Sequence, residues 1–350
     1  MTFLENPLYI KDMRDTIDVP LPWDKLNGAR ILITGAGGLI SSFLVDCLMY
    51  RNSVHKANIS VHALCRNEEK ARKRFGSYEK NENFYLIIQD VCDSLNSNLD
   101  FDYIIHAASN AHPLAYATAP VETMKANLLG SINLLEYAKK HKIKKFMFIS
   151  SSEIYGQNDS SADKHLTEDY SGYINCAELR AAYPESKRVS ETLCTAYKKE
   201  YGVNTVVVRP GHIYGSAMTE ENSRADAQFI RNAIDGVDIV MKSAGNQLRS
   251  YCYVSDAVSA IFYVLLLGED GGAYNIANKN SMVTIRELAE ILSDISKVKV
   301  VFENPNDVEK SGYSIVGNIV MDARRLENLG WEARHNIKSG LMRTIGILKS

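Results

Sequence analysis

The stretch that decides the fold is "ARILITGAGGLISS", residues 29–42. An apolar run rich in isoleucine and leucine gives way to glycines, and a helical pattern opens near Leu39. Gly35 permits a tight turn at that junction. Gly38 lets backbone N–H groups approach a pyrophosphate at the helix N-terminus, with Leu39 and Ile40 following in the first turn. A lone glycine pattern is weak evidence; one placed between strand and helix in an alternating array points to a dinucleotide loop. Ser41 stands where a third glycine is usual, and it is small enough for the helix to pack closely on a sheet.

The array is present. Strand-like runs recur at 59–65, 84–90, 102–108, 145–151 and 204–210, separated by helix-length segments that include starts near Pro120 and Pro184. Continuous apolar runs of this kind predict a parallel sheet covered on both faces. In the helix 120–141, Met124, Leu128, Ile132, Leu135 and Ala138 mark an apolar face. After Arg209 turns and short strands take over. The expected fold is α/β: a Rossmann-type doubly wound parallel sheet over 29–209, to which 253–268 returns, with a smaller C-terminal α/β substrate-binding portion from 210–252 and 269–350. Residues 1–28 form an N-terminal extension, in which Ile10, Met13 and Ile17 make one helical face and residues 20–23 an extended strap.

Composition narrows the function classes. The 350 residues are 45% hydrophobic and 23% charged, as in soluble globular proteins. A formal charge of −2 gives no electrostatic reason to expect nucleic acid or an anionic membrane as partner. The longest apolar run, "AIFYVLLLG" at 260–268, is far short of the ~20 residues that span a bilayer. No secretory signal opens the chain. The six cysteines are scattered without a C-x-x-C, and most read as reduced buried thiols, neither a disulfide frame nor a metal site. A cytoplasmic enzyme or binding protein fits these numbers.

Two further stretches carry chemistry. At the end of the second strand, in "ALCRNEEKARKRF" (63–75), Arg66 stands where an acidic residue would bind the ribose 2′-hydroxyl of NAD. An arginine there suits the 2′-phosphate of NADP, so NADP is favoured and NAD stays open. Asp90 and Val91 follow the third strand, where an adenine edge would lie. "SSSEIYG" (150–156) ends the fifth strand, at the carboxyl edge where open α/β sheets bind ligands, and "YPESK" (183–187) comes thirty residues later. An unperturbed tyrosine is a poor base, with a pKa near ~10. Lys187, one helical turn from Tyr183, and a positive nicotinamide would both favour the phenolate.

Together with "HAAS" (106–109) and Asn127 in "KANLLGS" (125–131), these motifs resemble the extended short-chain dehydrogenase/reductases that act on nucleotide sugars. Within that superfamily the chain is most similar to the UDP-glucuronate decarboxylases, through "ASNAHPLAYATAPVETMKAN" (108–127), "SSSEIYG", residues 168–197 and "RSYCYVSDAV" (249–258). The resemblance runs from about residue 29 to the C-terminus. It implies a tightly held NADP or NAD, bound also by Ala107, Ala108, Ser109, Asn127, Tyr183 and Lys187, and a nucleotide-diphosphate sugar as substrate. Tyr183 would take the proton of the sugar 4-hydroxyl with Ser151 on the same oxygen, and Glu153 would act at C5. Tyr116, Lys125, Ser152 and His212 fall near the sugar, and Arg224 and Arg249 near the nucleotide. A homodimer built on helices matching 120–141 and 184–201 is implied as well.

Decarboxylation, 4,6-dehydration, 4-epimerisation and reduction of a keto sugar all pass through chemistry at C4 and stay open. The chain departs from the decarboxylase pattern at Arg66, where they carry an acid, and at His212, where they carry asparagine. It has no clear match, in 306–318, to their late arginine. A non-catalytic dinucleotide-binding relative would usually lose the tyrosine or lysine; Ser151, Tyr183 and Lys187 are all kept.

Overall fold

The structure, a computed structural model, describes residues 3–95, 98, 100–158, 165–304 and 317–350. Its centre is a seven-stranded sheet in the order β10-β6-β5-β4-β1-β2-β3, all parallel. The strands are β1 (Arg30–Thr34), β2 (Ser60–Cys65), β3 (Phe84–Ile88), β4 (Tyr103–His106), β5 (Lys145–Ile149), β6 (Thr205–Pro210) and β10 (Ala273–Ile276). β1 is buried at every position after Arg30, as its continuous apolar run requires with helices on both faces. The chain winds outward from β1 in one direction through β2 and β3, then in the other through β4, β5 and β6. The strand order therefore reverses between β1 and β4, which is where such sheets open a ligand crevice.

The doubly wound parallel sheet read from the sequence is the one observed. Its seventh strand, β10, comes from within 269–350, the stretch assigned on sequence to the smaller portion. α8 (Val254–Leu267) is buried nearly all round, lying beside α1 (Pro7–Ile17) and α2 (Leu39–His55). The remaining elements form two small sheets. One joins β11 (Met282–Thr284), β9 (Leu248–Tyr253) and β7 (His212–Tyr214); the other joins β12 (Val300–Phe302) and β8 (Ile239–Met241). α7 (Ala225–Asp235) and α9 (Ile285–Ser296) pack together beside them.

The N-terminal extension is pinned by buried polar bonds as much as by apolar packing. Asn6 caps α1 by accepting from the N–H groups of Leu8 and Tyr9, and Pro7 opens the helix. Met13 and Ile17 are buried as expected, but Ile10 is only half-buried, and Tyr9, Asp12 and Thr16 share the inner face. The Tyr9 hydroxyl and Arg74 both bond to Asp46 of α2. Asp12 accepts from Tyr253 Oη at 2.6 Å and Arg343 Nε at 2.7 Å. Of the strap expected over 20–23, residues 20–22 carry no regular structure and Trp23 opens a 3₁₀ turn, Trp23–Leu26, with its ring edge-on to Phe262.

α5 (Pro120–His141) carries two apolar faces where the periodicity suggested one. Leu134, Leu135 and Ala138 are buried beneath it, whereas Met124, Leu129 and Ile132 are exposed. It packs lengthwise on α6 (Ala182–Tyr201), which also exposes Val189. Among the described residues no helix is long and apolar enough to cross a membrane.

Candidate active site

The site is assembled at the carboxyl edge of the sheet. Gly35, with φ +62°, turns the chain out of β1 so tightly that a Cβ there would lie 2.7 Å from the Cα of Ala108. Thr34 fastens the same contact: its hydroxyl accepts from the N–H groups of Ala107 and Ala108 and meets His106 Nδ1 at 2.8 Å. His106 is buried, and burial, reinforced by the Lys187 charge, lowers its pKa to about 3. It is a neutral packing residue beneath the loops.

Gly38 precedes α2 without any side-chain cap, so the first N–H groups of that helix face the cleft with no competing acceptor from the chain. A Cβ at Gly37 would meet nothing closer than Cys65 Sγ at 4.0 Å. Ser109 Oγ and Asn127 Oδ1 are buried and have no partner among the described residues. Open backbone donors, bare glycines and idle polar atoms along one groove fit a dinucleotide. Leu39 and Ile40 are half-buried in the first turn of α2. Arg66 is largely exposed at the end of β2 and only 3.9 Å from Asp90, whose carboxylate accepts from the Cys92 N–H. That N–H bond, and behind it Arg66, hold the Asp90 pKa below its ordinary value against the effect of burial. Val91 is buried next to it.

The fifth strand delivers the second half of the site. Ser151 caps a 3₁₀ turn, Ser152–Tyr155, by accepting from the Glu153 N–H at 3.2 Å. Gly156 ends the turn at φ +63°, against the carbonyls of Gly172 and Tyr173. Arg188 then clamps this turn to α6, donating to the carbonyl oxygens of Ile154 and Gly172, each at 2.6 Å. α6 begins at Ala182, so Tyr183 sits in its first turn, facing the cleft. Asn127 on α5 donates to Ser186 Oγ at 2.8 Å, and Ser186 donates to the Tyr183 carbonyl at 2.9 Å. The tyrosine is thus held through two helices.

Around Tyr183 the structure brings together Ser151, Glu153, Tyr116 and Arg224, with Arg180 as a residue that sequence reasoning missed. Ser151 lies close enough to Tyr183 to pull its phenol pKa down. Its ring stacks on Tyr116 at 4.8 Å, and the Arg180 guanidinium covers the other ring at 4.3 Å. Arg180 also pairs with Glu153 at 2.5 Å. The only sign of it in the sequence was a basic residue three places before the tyrosine. Ser152 is buried in the turn. His212 is half-buried near Arg249 and Arg224, with its Nδ1 inside; desolvation first, then those two charges, push its pKa far down and keep it neutral. Arg249 is buried and donates to the Leu248 and Gly317 carbonyls. Lys125 stays apart, on the exposed face of α5 with Glu122 at 3.1 Å. The late arginine sought in 306–318 falls, through residue 316, outside the described residues.

Lys187 lies one turn along α6 from Tyr183 and is buried. Its Nζ turns to the Ile149 carbonyl at 2.8 Å and lies 5.9 Å from the Tyr183 ring centroid. Burial raises the Tyr183 pKa, with Glu153 adding to the rise, and the groups that pull it back are Arg224, Ser151 and Arg180. Burial also lowers Lys187 from the ordinary 10.5 to about 7, against a smaller opposing effect of Glu191.

Comparison with known proteins places the chain. The sequence pattern of the NAD dependent epimerase/dehydratase family matches residues 31–277. UDP-glucuronic acid decarboxylase 6 of Arabidopsis thaliana is 33% identical over 316 residues, 89% of this chain and 86% of the relative. UDP-glucuronic acid decarboxylase 1 of Danio rerio is 32% identical over 320 residues, 90% and 72% of the two chains. The chain belongs to the NAD dependent epimerase/dehydratase family. Solved structures share the family fold. A dTDP-glucose 4,6-dehydratase from Streptomyces venezuelae with NAD and TYD bound superposes with a TM-score of 0.78 at 23% identity, covering 91% of this chain and 96% of that one. The UDP-glucuronic acid 4-epimerase of Bacillus cereus, in complex with UDP-glucuronic acid and NAD, gives 0.77 at 22% identity, covering 91% and 99%. The family expected from the motifs is the family found.

The buried lysine predicts a pH-dependent stability. Between about 7 and 10.5 the unfolded chain holds a proton on Lys187 that the folded chain has released. Stability therefore rises with pH across that window, and the full cost of burying the charge falls below it. In protein stripped of dinucleotide, Lys187→Met is expected to raise the melting temperature by a few degrees below about pH 6, with the gain shrinking above about pH 9. Thermal melts of both proteins across this range check it; a pH-independent difference would contradict it.

Proposed function

We propose that this protein is a nucleotide-sugar enzyme that oxidises the sugar at C4 and acts as a UDP-glucuronic acid decarboxylase. The observation that carries the reading is the gathering of Ser151 and the Glu153–Arg180 pair around the buried Tyr183, at the carboxyl edge of the sheet. The curated relatives, decarboxylases over nearly the whole chain, support it. NAD or NADP along the glycine loop supplies the hydride acceptor, and later donor, for C4. The residues do the rest. Tyr183 takes the proton of the 4-hydroxyl, with Ser151 holding the same oxygen; Arg224 and Arg180 offset part of the cost of a buried phenolate. Lys187, the lysine of the first turns of α6, lies ready for ribose hydroxyls.

A ketone at C4 makes a C5 carboxylate a β-keto acid. The C5–carboxylate bond breaks, carbon dioxide leaves, and its electron pair passes into the C4 carbonyl as an enolate. Glu153 is placed to handle the proton that C5 then gains. The large sheet holds the dinucleotide in this scheme, and Arg224, His212 and Arg249 face the nucleotide from the smaller portion.

Four measurements test these assignments. Incubation with UDP-glucuronic acid should release carbon dioxide and a UDP-pentose by mass spectrometry; loss of water or unchanged mass would assign dehydration or epimerisation instead. Tyr183→Phe should slow turnover ~10²–10⁴-fold while cofactor affinity stays near wild type. Arg66, exposed at the end of β2, supports a preference for NADP. Arg66→Ala should weaken NADP ~10-fold or more and NAD little, and equal effects on both would remove the preference. Finally, Met124, Leu129, Ile132 and Val189 leave the α5–α6 face apolar and exposed, which supports a two-fold homodimer. Sedimentation should give twice the chain mass, and a monomer at micromolar concentration would refute it.

A further inference from the structure

Arg180 lies on the 3₁₀ turn that leads into α6, and its side chain is 9% exposed. One nitrogen, Nη2, donates to Glu153 Oε2. The other two, Nε and Nη1, are buried and have no acceptor among the described residues. A buried donor without a partner costs roughly 1–3 kcal/mol, more when it carries charge. The guanidinium nevertheless lies 4.3 Å over the Tyr116 ring, which stacks on Tyr183. A guanidinium with idle donors beside the reacting tyrosine is a receptor for an anion.

The charges around it agree. Arg180, Arg224 and Arg249 all act on Glu153, the first two on Tyr183 as well, while Asp226 lies beside Arg224. A diphosphate engages the arginines on the nucleotide side and leaves Arg180 facing the sugar. Building on the nucleotide-sugar reading above, we infer that Arg180 is the specificity-determining residue for a sugar carboxylate, the C6 carboxylate of a nucleotide-linked hexuronic acid, which it holds on the donors that Glu153 leaves idle. A neutral hexose presents a hydroxymethyl group there and cannot balance the charge. Glu153 and the sugar carboxylate then share one cation, so removing either should strengthen the other's hold.

The test is a ratio of affinities. Binding of UDP-glucuronic acid and of UDP-glucose is measured by calorimetry on the NAD-loaded Tyr183→Phe protein, where turnover is suppressed. The acid should bind more tightly. Adding Arg180→Gln should cut that preference ~10-fold or more while UDP-glucose affinity stays within about threefold. Adding Glu153→Gln should raise the preference, because the guanidinium loses its internal partner. A brace that merely shaped the site would weaken both sugars alike, and that result, or an unmoved ratio, overturns the inference. Should Arg180→Gln not fold, Arg180→Lys carries the test: it keeps the charge and loses the planar fork, and an unchanged preference again overturns it. A wild-type protein that fails to decarboxylate UDP-glucuronic acid, yet loses its preference on Arg180 substitution, refutes the reaction and leaves the inference standing. Decarboxylation with an unmoved ratio does the reverse, and binding of neither compound overturns both.

Discussion

The structure hangs on an approach of two backbones that leaves no room for a Cβ. Gly35 lies against Ala108 across the point where the strand order reverses, and Thr34 bonds to both amides of the facing loop. β1 and β4 are paired as far as Thr34 and His106, and this contact carries their close approach past the strand ends to the mouth of the crevice. Everything else in the site is referred to it: α2 starts from it, and His106, bonded to Thr34, supports the loop from below. A side chain at Gly35 would have to push the two loops apart, and its φ of +62° would strain any other residue. The glycine serves the ligand by serving the fold first.

The half of the site built on β1 was legible because all its residues are local. A strand, a turn and a helix within one short stretch carry their own geometry, and "ARILITGAGGLISS" displays all three. What was not legible depends on contacts distant in sequence. Arg180 has meaning only through Glu153, 27 residues earlier, and through a tyrosine on another helix. The helical face of Ile10, Met13 and Ile17 gave no place to Asp12, because its partners, Tyr253 and Arg343, lie 241 and 331 positions away. Four-residue β10 is too short to announce itself, and only its pairing with β6 makes it a strand of the large sheet.

Helix phase explains Lys125. At 100° per residue, a side chain two positions from another points almost to the opposite face. Asn127 is buried toward α6, so Lys125 must face water. A motif read as a string credits both. The same arithmetic puts Tyr183 and Lys187 on one face, one turn apart, and the lysine is long enough for its Nζ to reach the Ile149 carbonyl, 5.9 Å from the Tyr183 ring centroid. Spacing tells which residues are neighbours and leaves open where their charges go.

Buried polar groups are treated differently at the two ends of the molecule, and that difference separates structure from site. Under α1, Asp46 takes Tyr9, Arg74 and Tyr78, and Asp12 takes Tyr253 and Arg343. Such a network is closed, and its return is a fixed docking of the N-terminal segment on α2 and α8. At the carboxyl edge the polar groups are buried but not closed. Ser109, Asn127, Ser150, Arg180 and His212 each keep an atom without a partner among the described residues, and the buried Lys187 amine donates to the Ile149 carbonyl, with a pKa pulled down to about 7. A fold selected for stability alone would fill these positions with apolar side chains. Idle donors and acceptors gathered on one edge are a debt held against a ligand that brings the missing partners, and their mixed signs require a ligand that is anionic in some places and rich in hydroxyls in others.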